Sequence, residues 1–206
     1  MATIELHTWG TPNGRKVSIS LKGIARQVDI NPDNSISSQR LLNLAVRVDG
    51  MNSSKPFDIV RTEVKSEGPD VVFRVQVRGK AGAIRPKPVG TFEGSAVYSY
   101  VWPTTMDSAT VGFDAGQGIL ALAVTFHPDF DDAANGGVNR FVWHPHWVVL
   151  TPDDACGKGS LKVRDIPEGT TPKLPATWPK VPLLIDSPTY PTTLETDTVE
   201  VRVPAS

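Results

Sequence analysis

A chain of 206 residues, 39% of them hydrophobic, is long enough to bury a core without disulfide or metal staples, as one large β domain or two small ones. Its 21 basic and 22 acidic side chains leave a formal charge of -1, and the basic ones are scattered, which excludes the electrostatic footprint of a nucleic-acid or anionic-membrane binder. No apolar run approaches the roughly 20 residues of a transmembrane helix, and the one cysteine, Cys156, allows neither an internal disulfide nor a cysteine-based zinc finger; a soluble protein without a transmembrane segment is expected.

At the start of the chain Ile4, Leu6 and Thr8 alternate on one side of the turn Thr11-Pro12-Asn13-Gly14, and Val17, Ile19 and Leu21 on the other. That is the pattern of a hairpin. The same stretch, TIELHTWGTPNGRKVSISL from Thr3 to Leu21, resembles the start of the glutathione S-transferase N-terminal domain, in particular bacterial members with a Thr-Pro-Asn-Gly turn after the first strand. The resemblance covers this opening segment only. It implies Thr11 and Asn13 beside a glutathione thiol, a helix after the turn with its N-terminus facing the thiolate, a cis-proline loop, and an all-helical second domain. Asn31-Pro32-Asp33-Asn34-Ser35-Ile36 echoes that loop, with Ser37 where the family has proline. Since nothing after Leu21 supplies a helical domain, residues 1–30 are read as an N-terminal hairpin or appended arm and residues 31–206 as a single β domain. No basic-then-apolar leader follows Met1, so a cytoplasmic location is expected, or a periplasmic or secreted one if a signal has been removed.

Ser37 to Leu44 suits a short helical turn, although Leu44 to Val48 suits a strand equally well. The clearest elements are the runs Asp58 to Ser66 and Asp70 to Gly79, joined by a turn through Glu67, Gly68 and Pro69. In the second run Val71, Phe73, Val75 and Val77 alternate with Val72, Arg74, Gln76 and Arg78, which predicts one face on a core and the other in water. Further strands are expected at Ser95 to Trp102, Gly118 to His127, Arg140 to Leu150, Leu161 to Asp165 and Thr196 to Val203. Short strands separated by turn residues predict an all-β, antiparallel β-sandwich or barrel. Between Pro167 and Pro191, prolines recur at 172, 175, 179, 182 and 188. Because proline cannot donate to a ladder, this C-terminal stretch is expected to cover a sheet as an extended strap, held down by Trp178, Leu183, Leu184 and Ile185.

Three of the four histidines fall in HPDFDD (127–132) and WHPHW (143–147), around a loop rich in Asp, Asn and Gly. On the first strand Leu120, Leu122, Val124 and Phe126 share a face, which leaves Ala121, Ala123, Thr125 and His127 opposite. On the second, Phe141, Trp143, Trp147 and Val149 leave Val142, His144, His146 and Val148 opposite. If both bulky faces point into the core, antiparallel pairing brings His127, His144 and His146 together on the other side, beside small residues that leave room for a ligand. Pro145 suggests an edge or a bulge there.

Imidazole is the commonest neutral metal ligand, and His-x-His presents two nitrogens to one side of a strand. A divalent zinc, copper or iron ion is therefore the expected cofactor, with a carboxylate from Asp129, Asp131 or Asp132 completing the shell. The competing reading of the three rings is half-buried sheet residues bonded to carbonyls or carboxylates. The loop itself reads as a solvated acidic turn or as a calcium site of Asp129, Asp131, Asp132 and Asn135, although it lacks the spacing of an EF-hand.

Elsewhere the signals are bland. Two neighbouring carboxylates disfavour Cys156 as a nucleophile, Ser95 lacks a Gly-x-Ser-x-Gly elbow, and Gly112, Gly116 and Gly118 precede a strand, whereas phosphate loops precede a helix. Tyr98, Tyr100 and Trp102 share a face that suits a core, or a sugar-stacking platform if exposed. WHPHWVVLTPDDACG, from Trp143 to Gly157, resembles segments of exported bacterial β proteins with no assigned activity. The function expected is a metal- or small-ligand-binding β protein with its site at the histidines. A carbohydrate-binding or adhesion-like sandwich and a glutathione transferase-like protein are the alternatives, and no catalytic residue is assigned.

Overall fold

Wherever apolar and polar residues alternate, the chain runs extended, and the strands pair with one another in antiparallel fashion. The computed structural model describes residues 4–11, 14–19, 55–92, 94–134, 138–153 and 160–205. Eleven strands are found among them: β1 (Ile4–Thr11), β2 (Gly14–Ile19), β3 (Ile59–Glu67), β4 (Asp70–Val77), β5 (Ala96–Pro103), β6 (Ile119–Phe126), β7 (His144–Pro152), β8 (Leu161–Val163), β9 (Ile185–Asp186), β10 (Thr192–Glu195) and β11 (Thr198–Pro204). The architecture is all-β. Among the described residues no helix is long and apolar enough to cross a membrane.

Two sheets result. The smaller has the order β10-β11-β4-β3; the larger runs β6-β5-β1-β2-β8-β7-β9, and because β6 also pairs with β7, six of its strands close into a ring. The backbones of β1 and β2 meet across Thr11 and Gly14, and the pair enters the ring between β5 and β8.

Side-chain parity divides β5, β6 and β7 into two faces. Their bulky face meets the four-stranded sheet: Phe73 of β4 lies edge-on to both Trp102 and Trp147, with centroids 6.1 Å apart in each pair, and Phe57 stacks on Tyr100. Leu120, Leu122, Trp147 and Val149 are fully or almost fully buried in this layer, each contributing about 2–3 kcal/mol of apolar burial. The opposite, small-residue face looks into the ring and carries Val97, Ser99, Ala123, Thr125 and Val148. One glycine fixes the approach of β6 to β7. Gly118 has a φ of 144°, and a Cβ there would lie 2.4 Å from the Leu150 carbonyl oxygen.

Several sequence expectations change in the folded chain. The third run begins at His144 instead of Arg140: Val142 N–H closes a turn onto Asn139 O at 3.0 Å, and Phe141, expected in the core, is 58% exposed. Pro145 makes no bulge but lies at a local edge, with a ladder partner on one side only. It pairs with Val124 without a register shift, and the ladder to β9 starts only at Trp147, so a missing donor is cheap at 145. Val72, expected in water, is buried between Lys65 and Arg202 in register, whose long stems lie alongside. β10 was not anticipated, and Thr196, expected in the last strand, forms a turn with φ 50°. Residues 167–191 are mostly irregular, but Leu183 and Leu184 are buried and the Trp178 indole N–H donates to Leu183 O at 3.2 Å. Residues 37–48 and Cys156 lie outside the described residues.

Candidate metal centre

The pairing of β6 with β7 sets Thr125 opposite His144 and Ala123 opposite His146, so both β7 imidazoles project on the small-residue face. His127, one residue beyond β6, joins them from the other side. Asp132 enters from the loop between the strands, and one ligand-type atom from each of the four buried residues lies within 4.8 Å of all the others. The Nε2 atoms of His127 and His144 are 3.0 Å apart. Asp132 Oδ2 is 3.3 Å from His127 Nε2 and 3.2 Å from His146 Nε2, and Oδ1 is 3.2 Å from His144 Nε2.

What the remote ring nitrogens do decides what the near ones offer. Nδ1 of His127 faces Phe130 O at 3.0 Å, that of His144 faces Val142 O at 2.9 Å, and that of His146 faces Asp186 O at 2.9 Å. A carbonyl only accepts, so each Nδ1 carries the proton and donates it. In the neutral rings every Nε2 is then an unprotonated lone pair, and three such lone pairs converge on one another and on a carboxylate. His146 Nε2 is buried without a hydrogen-bond partner. Ring orientation is fixed further by the Phe130 ring, which stacks on His127 at 4.1 Å and 2°.

The charges point the same way. Burial pushes the His146 imidazole down to about 3, so it is neutral at physiological pH. Burial also works against ionisation of Asp132, but positive charge on or among the imidazole groups of His146, His127 and His144 outweighs it and holds the carboxyl well below its usual range. Asp132 is thus a carboxylate, 4% exposed, and among the described residues no lysine or arginine pairs with it. An isolated buried charge costs several kcal/mol. The chemistry missing from the cluster is a positive charge at its centre.

The donor set fits a first-row metal ion. With bonds of about 2.0–2.1 Å, neighbouring ligand atoms stand about 2.9 Å apart in an octahedral shell and about 3.3 Å apart in a tetrahedral one; the contacts above span that interval. The groups that donate or accept behind the ligands are also in place. Asn139 Nδ2 donates to Asp132 Oδ1 at 2.8 Å, and Ser187 Oγ donates to Asp132 O at 2.8 Å while sitting 3.1 Å from His146 Nδ1. Such partners hold tautomer and orientation in metal sites.

Of the carboxylates singled out in the sequence, only Asp132 reaches the cluster. Asp129 Oδ1 accepts from the backbone N–H groups of Val89 and Gly90, each at 2.7 Å, and Asp131 accepts from those of Ala133 and Asn139. Asn135 lies outside the described residues. Of the positions tied to the glutathione transferase resemblance, Thr11 ends β1, and Asn13 and residues 31–37 lie outside the described residues. Asn139, Asp186 and Ser187 were not anticipated. Tyr100 and Trp102 are buried in the core, so the aromatic run forms no surface platform for sugars.

No family model, no curated protein and no solved structure matches the chain. The reading of the centre therefore rests on its geometry.

Proposed function

We propose that this protein binds one divalent transition-metal ion through Nε2 of His127, His144 and His146 and the carboxylate of Asp132. The observation that carries this reading is the orientation of the three imidazoles: each gives its Nδ1 proton to a backbone carbonyl and turns its free nitrogen inward. A purely structural histidine cluster would place a proton, and not a second lone pair, between neighbouring nitrogens. Three nitrogens and one oxygen suit zinc, iron or copper, whereas calcium takes six to eight oxygens. Three imidazoles and one carboxylate also leave coordination positions for a further ligand in any shell larger than four.

The test is metal content. Purified protein, stripped with chelator and reloaded separately with zinc, iron(II) and copper(II), should retain close to one equivalent of at least one of them after desalting. His144→Ala should retain less than about a tenth of that, since losing one ligand of four removes several kcal/mol of a binding energy of about 10–16 kcal/mol. Wild-type protein that retains none of the three metals, or a His144→Ala variant that retains as much as the wild type, would overturn the assignment.

A further inference from the structure

Inside the ring, directly beside the cluster, lies a cavity of about 60 Å³ with His127, Asp132 and His146 in its lining. Its walls are mostly apolar: Val97, Ala123, Val148 and Val163 from β5 to β8, with Leu183 and Ile185 from β9 and the residues before it. The Thr125 hydroxyl, also in the lining, meets His144 Nε2 at 3.5 Å, but a second hydroxyl is unpaired. Ser99 also borders the cavity; its hydroxyl is 1% exposed at the residue level and has no hydrogen-bond partner. An unpaired buried hydroxyl costs about 1–3 kcal/mol, and alanine at this position would avoid that cost.

We infer that this cavity is a ligand pocket for a neutral molecule of two or three non-hydrogen atoms, with an apolar body and one acceptor atom that takes the Ser99 hydroxyl proton. Size sets the upper limit. An apolar cavity of about 150 Å³ holds benzene, so 60 Å³ holds roughly two or three non-hydrogen atoms. Charge sets the class: the walls offer no cation to an anion, and Asp132 repels one. Position sets the consequence, because a molecule held here lies against the inward faces of His127 and His146. The inference rests on the proposed metal centre only for that last consequence, while occupancy of the cavity itself needs no ion.

Two probes on metal-free protein separate the claims. Xenon reports the apolar volume, and acetonitrile, a linear neutral molecule of three non-hydrogen atoms with one acceptor nitrogen, reports the polar contact. Both should give saturable NMR shifts confined to the methyl groups that line the cavity, those of Val97, Ala123, Val148, Val163, Leu183 and Ile185. Ala123→Leu, or Val163→Leu should the first variant not fold, should abolish both responses. Ser99→Ala should leave xenon binding unchanged and weaken acetonitrile about five-fold. The inference is overturned if neither probe gives saturable shifts, if the shifts survive both filling variants, or if Ser99→Ala affects the two probes alike. Retention of metal without probe binding sinks this inference alone, and probe binding to a chain that retains no metal sinks the metal centre alone.

Discussion

Replacing Asp132 by asparagine should raise the stability of the metal-free protein and lower that of the metal-loaded one. With the rings neutral and no metal bound, a buried carboxylate faces three unprotonated nitrogens, with Oδ2 at 3.3 and 3.2 Å from those of His127 and His146. An asparagine can keep its oxygen where Oδ1 accepts from Asn139 Nδ2 at 2.8 Å and set its amide nitrogen in place of Oδ2. The two amide protons then meet two lone pairs. Two new hydrogen bonds at about 1 kcal/mol each give a gain of about 2 kcal/mol before any relief from removing the unpaired buried charge, or roughly 4–8 °C in Tm for a chain of this size. With metal present at about 1,000 times its Kd, wild-type protein gains about 4 kcal/mol, and the variant, short of its only anionic ligand, gains far less. Calorimetric scans at pH 7.5, with chelator and with saturating zinc, should therefore show the order of the two proteins reversing. If Asp132→Asn is the less stable protein under both conditions, the imidazoles donate to Asp132 in an ordinary hydrogen-bonded network and no ion is called for.

Acid should weaken the metal-free fold. An unfolded His146 takes a proton near its ordinary value of 6.5, whereas the folded one resists until about 3, so the unfolded state holds more protons in between. Stability is full above pH 6.5 and falls as the pH drops toward 3; denaturant midpoints that stay flat from pH 7.5 to 4.5 would contradict this. Tyr100→Phe should cost about 1–3 kcal/mol in urea unfolding, because the phenol oxygen accepts from the buried Gly82 N–H at 2.9 Å and its proton goes to Pro56 O. In the wild type that phenol, pushed up to about 12 by burial, should not ionise in ultraviolet titration until well above pH 10. Gly118→Ala should cost about 2–3 kcal/mol through backbone strain and collision with the Leu150 carbonyl; a variant with an unchanged melting temperature would show that the β6–β7 approach is softer than described.

Period-two alternation made much of this legible in the sequence. The contrast of Leu120, Leu122 and Val124 with Ala121, Ala123 and Thr125 separates the two faces of β6, and His-x-His on the next strand then follows onto the small-residue side. Parity could not choose among Asp129, Asp131 and Asp132. Three carboxylates within four residues look alike until the loop is built, when two of them turn out to cap backbone N–H groups of neighbouring turns. Nor could it locate Asp186 and Ser187. They reach His146 from 40 and 41 residues away, one of them through a carbonyl that any residue could supply. Phe141 went astray for a local reason: a hydrophobic residue at the right parity counts toward a core only while its strand has a partner, and β6 ends at Phe126.

The anchors behind the ligands come from two separate parts of the chain. Asp186 and Ser187 belong to the proline-rich segment, yet one takes the His146 proton and the other grips the Asp132 carbonyl. An ion at the centre would join this segment to β6 and β7, so that detaching the segment and releasing the metal become a single event. How long such a protein survives would then depend on the supply of metal around it as well as on its own packing.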